Sequence, residues 1–273
     1  MKTAAYTICK NEIKFVEKWL YYTKDFTYRV LLDTGSTDGT WELLQEVAKT
    51  DTNLILEQKI IEPWRFDTAR NYNLSMVPKD CEWCLSPDLD EYFSINVLHE
   101  IKNILKDKPN ATNISCDRLD IFSDIVRHGP PNTLPINKIH RRNDYTWSQP
   151  VFEHMLFNRT DITETEVYNN KIFLIHDQDF NKPERTKLYV KLLHNEYELN
   201  PTNCWTLWYL ISHYYITQDL DNFIKYGRVF LDHANHDDRY THVRQGLEYI
   251  YFNIETSSEQ KAQILETLGR NKP

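Results

Sequence analysis

Apolar positions along the first part of the chain switch between two periods. Residues 3–9 form a short apolar run of strand type, and residues 12–22 carry Phe15, Val16, Trp19 and Leu20 at helical spacing. A second strand at 28–32 ends on Asp33. After the turn Thr34-Gly35-Ser36-Thr37-Asp38-Gly39, helical spacing resumes over 40–48 and another strand falls near 54–56. Strand and helix alternate, so the pattern predicts a mainly parallel sheet with helices on its faces. Residues 67–76 read as a further helix. Residues 82–85 read as a strand that delivers Ser86-Pro87-Asp88-Leu89-Asp90-Glu91 at its carboxyl end, where open α/β sheets bind ligands.

Between 112 and 176 the apolar runs are shorter and β-rich, at 113–116, 135–140, 151–157 and 171–175, which predicts additional strands covering a pocket at that edge. Beyond Asn181 the pattern becomes helical, over 184–198, 204–216, 220–233, 239–254 and 258–268, with Trp205, Trp208, Tyr209, Tyr214 and Tyr215 on packed faces. This spacing resembles one or two helix-turn-helix units of the tetratricopeptide kind, too few for a long solenoid. The segment is expected to pack on the first domain or to make a homodimer.

With 273 residues, 41% of them apolar, the chain holds one large or two modest domains with a real core, and disorder is excluded. A formal charge of -8 argues against a surface that tracks a nucleic-acid backbone. The five cysteines (Cys9, Cys81, Cys84, Cys116 and Cys204) are an odd, scattered set, and residues 1–12 carry no signal-type apolar run. Free thiols and a cytoplasmic setting follow as expectations. Cys81-x-x-Cys84 lacks the second pair that a zinc site needs and reads as two ordinary thiols. No stretch approaches the roughly eighteen apolar residues of a membrane-spanning helix, so none is expected.

Two segments carry candidate chemistry. Asp88 and Asp90 stand at i and i+2 after a strand, where two carboxylates can converge on one divalent cation such as manganese or magnesium; the plain alternative is a pair of solvated turn carboxylates. The turn from Asp33 to Thr40 leads a strand-terminal acid, two glycines and short hydroxyl residues into a helix. Such a loop can present amides and acids to a ribose and a base, or it can be an ordinary connection in which Asp38 or Thr40 caps the helix. The cluster Lys138-Ile139-His140-Arg141-Arg142 reads as a solvated strand edge in preference to a patch for an anionic acceptor.

Taken together the motifs resemble inverting glycosyltransferase family 2. The matching segments, in order, are Lys10-Asn11-Glu12, Asp33-Thr34-Gly35-Ser36-Thr37-Asp38-Gly39-Thr40, Ala69-Arg70-Asn71 and Asp88-Leu89-Asp90-Glu91, followed more faintly by 138–142, 147–154 and His176 with Lys182 and Arg185. The resemblance implies an α/β fold of glycosyltransferase type A, Rossmann-like, with a mainly parallel sheet flanked by helices. It implies a catalytic domain over 1–181 and an all-helical, tetratricopeptide-like extension over 182–273.

The resemblance also implies roles. Asp33 and Asp38 would hold the base and ribose of a nucleotide-sugar donor, with UDP preferred, and Arg70 would face the base or diphosphate. Asp88 would lie near ribose and metal, Asp90 would ligate the metal directly, and His176 matches a position that often supplies another ligand; its alternative is a hydrogen-bonded structural histidine. Lys182 and Arg185 would add positive charge over the phosphates. Glu153 is the preferred base for the acceptor hydroxyl, although the order Glu153-His154 inverts the family's usual pair, and Asp117 and Asp120 come next. The acceptor remains open among glycan, lipid-linked glycan, protein and hydroxymethylated DNA base. Two competing functions are a nucleotidyltransferase that forms the activated sugar, which usually shows a glycine-rich phosphate loop absent here, and a non-catalytic nucleotide-binding module, which predicts loss of Asp88 and Asp90.

Overall fold

A computed structural model describes residues 1–122, 125–128, 135–177, 184–234 and 236–270, without the side chains of 121, 122, 125–128, 184 and 270. The chain divides into two compact units, Met1–Asn181 and Lys182–Pro273.

The first unit is built on a nine-stranded sheet in the order β3-β2-β1-β4-β8-β6-β11-β5, with β7 paired to β6. Its parallel half is β1 (Thr3–Cys9), β2 (Tyr28–Asp33), β3 (Leu54–Gln58) and β4 (Trp83–Leu85). These strands are joined through α1 (Ile13–Tyr22), α2 (Thr40–Ala48) and α3 (Phe66–Met76). Past β4 the chain forms β5 (Glu91–Phe93), α4 (Val97–Asp107), β6 (Asn113–Phe122), β7 (Ile125–His128), β8 (Ile136–Arg141) and β11 (Glu166–Asp177). β8 runs against both β4 and β6, β11 runs parallel to β6, and β5 runs against β11. A separate ribbon pairs β9 (Tyr145–Ser148) with β10 (His154–Phe157).

Alternation along the strands explains the layers. Ala5, Cys9 and Leu31 face one side, where they pack with Phe15, Val16 and Trp19 of α1, Leu44 of α2 and Val97, Ile101 and Ile104 of α4. Ala4, Tyr6 and Val30 face the other and meet Leu74 of α3 and Trp147 of β9. Both faces are covered, which is why the central strands read as continuous apolar runs. The five cysteines are free thiols.

The structure differs from the sequence expectation in three places. Residues 151–153 are not strand: Val151 and Phe152 bend the chain, with Phe152 at a φ of 53°, and Glu153 is irregular. The short β5 and the helix α4, which follow the acidic loop, were not foreseen. Strand β8 is not a solvated edge: it lies between β4 and β6. Arg141 at its end donates to the carbonyls of Ala111 and Pro109, and Arg142, one residue past it, to that of Val77.

The second unit consists of α5 (Glu184–Leu199), α6 (Cys204–Ile216), α7 (Leu220–His233), α8 (Tyr240–Asn253) and α9 (Ser258–Arg270), each packed on the next. Side chains cap the starts of α6, α7 and α9. Asn203 accepts from the amides of Trp205 and Thr206, Asp219 accepts from that of Asn222, and Ser257 and Gln260 exchange a reciprocal capping pair. Among the described residues no helix is long and apolar enough to cross a membrane.

Candidate functional site

The carboxyl ends of β1, β2 and β4 bring the first motifs together. Asn11 accepts from the amide of Thr37 (2.7 Å) and its own amide donates to Ser36 Oγ (2.8 Å), so the loop after β1 is laced to the loop after β2. Asp33 is fully buried; its Oδ1 accepts from the amides of Gly35 and Ser36 and from Gln58. Burial favours the neutral acid, but these hydrogen bonds outweigh it and hold the carboxyl below its usual range. Asp38 is exposed and accepts from Thr40 and from the amide of Ile13, at the first residues of α2 and α1. The two carboxylates thus shape the turn, which runs through Gly35 and Gly39 at φ of 102° and 96°.

Helix α3 supplies the next group. Ala69 packs under Leu32 and Ile61, Asn71 exchanges hydrogen bonds with the backbone of Trp147 (2.8 Å each way), and Arg70 enters the site. The Arg70 guanidinium stacks over the Trp147 ring at 4.9 Å, donates from Nη2 to Asp88 Oδ1 at 2.6 Å and from Nε to Glu153 Oε1. Its Nη1 is buried without a hydrogen-bond partner.

The acidic loop turns before β5, with the Glu91 amide donating to the Asp88 carbonyl. In consequence Asp88 and Asp90 take different partners, which the i, i+2 spacing of an extended strand did not predict. Asp88 Oδ2 accepts from Lys138 Nζ at 3.1 Å, and the same ammonium donates to Glu91 Oε2 at 2.5 Å. Burial would raise the Asp88 carboxyl, but the charges of Arg70 and Lys138 prevail and hold it far below the usual range. For Glu91 burial prevails and its carboxyl is pushed up, despite Lys138. Asp90 faces His176 instead, Oδ2 to Nε2 at 3.5 Å, and His176 Nδ1 lies 3.1 Å from Asp120 Oδ1. Burial opposes a charge on His176, but Asp90 outweighs it and holds the imidazole above its usual value.

The described residues contain no cluster of three or more His, Cys, Asp or Glu side chains able to hold a metal ion. Asp90 and His176 form a pair of suitable donors, one carboxylate oxygen and one imidazole nitrogen, that fits a cation completed by ligand and water oxygens. The formal charge also fits: among the described residues Asp88, Asp90, Glu91 and Glu153 face Arg70 and Lys138, and Asp120 is matched by Arg118 at 3.2 Å.

No protein-family model and no curated protein matches the sequence. Among solved structures, S. aureus TarS matches over 99% of this chain at 14% identity and a TM-score of 0.53, and the chain spans 48% of the TarS length. A TarS 1–349 structure matches over 98% of this chain and 79% of its own, at 13% identity and a TM-score of 0.50. Mannosyltransferase PcManGT from Pyrobaculum calidifontis, in complex with GDP-Man and Mn2+, matches more loosely, over 99% and 86%, at 13% identity and a TM-score of 0.46. The chain has the type A glycosyltransferase fold.

Within that fold the remaining sequence candidates lie as follows. Asp117 is held by the hydroxyl of Tyr168, at 3.0 Å, where Tyr168 is itself exposed. Arg185, near the start of α5, is exposed and donates to the Tyr189 hydroxyl one turn on. Lys182 lies outside the described residues. His154 opens β10 and is half-buried, which lowers its pKa.

Sequence reasoning missed Lys138 as a member of the site. Its signal, a lysine alternating with apolar residues, is identical for a solvated face and for a buried ammonium with two acids waiting for it. A separate cavity of about 660 Å³ at the amino end of β4, lined by Asp80, Trp83, Arg141, Arg142 and Arg159 among others, contains none of the expected site residues.

Proposed function

We propose that the protein is a glycosyltransferase that moves a sugar from a nucleotide-sugar donor, with UDP as its preferred nucleotide, to an acceptor hydroxyl with inversion. The reading rests on one observation above all: in a type A fold, the Asp90–His176 pair and the buried Arg70 with its unpartnered Nη1 gather at the carboxyl ends of the central strands. A divalent cation fits Asp90 and His176, and when bound it supplies positive charge against the departing diphosphate. Asp88 is left to anchor Arg70 and Lys138.

The chain's own groups divide the work. The turn from Asp33 to Thr40, held open by its two carboxylates and two positive-φ glycines, forms the wall for the nucleoside. Arg70 Nη1 is a buried donor that a diphosphate oxygen would satisfy, and the Trp147 ring beneath keeps the guanidinium in plane. Glu153 remains the candidate base, because its carboxylate sits at the same guanidinium. Contact of Arg70 with a diphosphate would loosen that pair as the donor binds and release the carboxylate toward the acceptor hydroxyl. Asp117 and Asp120 are engaged by Tyr168 and by His176 and are weaker candidates for that role. The helical unit is assigned to acceptor binding or self-association.

Thermal unfolding with UDP, with manganese and with both tests the reading, because a ligand bound only by the folded state raises apparent stability. UDP and manganese together are expected to raise the midpoint more than either alone, and Asp90→Ala to remove most of the joint effect. Equal shifts in wild type and variant would remove the cation from Asp90.

A further inference from the structure

The row of side chains behind the cation pair has a function of its own in the register of the sheet. Parallel pairing of β6 with β11 sets Asp120 directly beside His176, and antiparallel pairing of β11 with β5 sets Glu91 on the other side, next to Asp90. Three strands therefore fix the order Asp120, His176, Asp90 across the carboxyl edge.

Asp120 is buried, and Arg118 Nε on its own strand lies 3.2 Å from its Oδ1. Its Oδ1 stands 3.1 Å from His176 Nδ1, whereas Asp90 is 3.5 Å from Nε2, a spacing that suits two ligands around one ion better than a hydrogen bond to each other. A neutral imidazole has one N–H and one lone pair, and the partner of one nitrogen decides which is which.

From this geometry we infer that Asp120 is a positioning residue: it accepts the Nδ1 proton of His176, fixes the ring, and leaves the Nε2 lone pair directed at the cation that Asp90 shares. The inference rests on the cation reading above. It removes Asp120 from the candidate bases, since a carboxylate bound to His176 and Arg118 serves the site through the imidazole. Outer partners of this kind typically change metal affinity about 10- to 100-fold when removed.

The full chain, its Asp120→Asn and Asp120→Ala variants, and Asp90→Ala are titrated with manganese in the presence of UDP, free manganese being read by electron paramagnetic resonance. Both Asp120 variants are expected to bind manganese about 10- to 100-fold more weakly, with binding of UDP alone retained; because Asp120 is a buried partner of Arg118 and His176, the unfolding midpoint is expected to fall, less in the isosteric Asp120→Asn than in Asp120→Ala. An unchanged manganese affinity in both, beside normal wild-type binding, overturns the role of Asp120 alone. Absence of manganese binding by the wild type overturns the cation reading itself. Nitrogen-proton correlation spectra of the wild-type imidazoles, taken above the His176 pKa, need no variant: a neutral His176 protonated on Nδ1 supports the inference, and one protonated on Nε2 refutes it.

Discussion

Arg70 has 6% of its side chain exposed and lies between the carboxylates of Asp88 and Glu153. Replacing it by methionine keeps volume but leaves Glu153 without its cation and Asp88 with Lys138 alone, beside an apolar side chain over Trp147. Removing one partner of a buried ion pair typically costs about 3–5 kcal/mol, mostly because the other charge is left in a poorly solvated place. Asp88 is 35% exposed and can recover some water, so a loss near the lower end, about 3 kcal/mol, is expected for Arg70→Met in urea unfolding. A loss below about 1 kcal/mol would show that the acids rehydrate freely and that the guanidinium is not their main support. Single residues were unevenly legible in the sequence. Arg70, Asp90 and His176 were named because their motifs carry them, but the partners that give them meaning, Lys138, Trp147 and Asp120 as a support for His176, come from strands far apart in the chain.

At the scale of elements, the turn after β2 illustrates what local sequence can determine. Gly35 and Gly39 adopt positive φ, and a Cβ on Gly35 would stand 2.5 Å from Ile60 Cδ1. Gly35→Ala is therefore expected to cost about 1–3 kcal/mol through backbone strain, with an added steric part that Ile60→Ala relieves in the double variant. Additive losses in urea unfolding would mean the contact with Ile60 is not the source of the steric part. The parallel half of the sheet and the trailing helices were legible for the same reason: their apolar periods and caps lie within a few residues. The β-rich middle was not. Strand β8 alternates Lys138 and His140 with Ile139, and that pattern fits a wet edge as well as a central strand whose polar face is satisfied by buried partners. Residues 151–153 read as strand because Val151 and Phe152 are apolar, but a positive φ at Phe152 bends the chain before β10 and carries Glu153 to Arg70. Asp88 and Asp90 were expected to converge on one cation, but the turn that closes from the Glu91 amide to the Asp88 carbonyl gives them different partners.

Across the whole first unit, stability should follow the protonation of a histidine in the middle of the sheet. His140 pairs across β8 with Cys84 on one side and Asn113 on the other, and it is fully buried. A chain of hydrogen bonds fixes its neutral form: Trp147 Nε1 donates to the Tyr6 hydroxyl at 2.8 Å, Tyr6 donates to His140 Nε2 at 2.8 Å, and Nδ1 donates to the Arg141 carbonyl at 3.0 Å. Burial pushes its pKa down from 6.5 to about 4. Between those values the unfolded chain takes up a proton that the folded chain refuses, so stability falls as pH drops from 6.5 toward 4 and this contribution levels off below. At about 1.4 kcal/mol per pH unit the full effect is about 3 kcal/mol. His154, also lowered by burial, adds to the same slope, whereas His176, raised by Asp90, opposes it with stability that is present at low pH and lost as pH rises through its folded value. The depressed acids Asp33, Asp38 and Asp88 act lower, losing their contribution only as pH falls below the ordinary carboxylate range and through their folded values. Urea unfolding at about pH 7 and about pH 4.5, compared between wild type and His140→Gln, isolates the one group. The variant should be less stable at neutral pH and much less sensitive to acid, so that the two curves converge; parallel curves would show that the sheet admits a charged His140 after all.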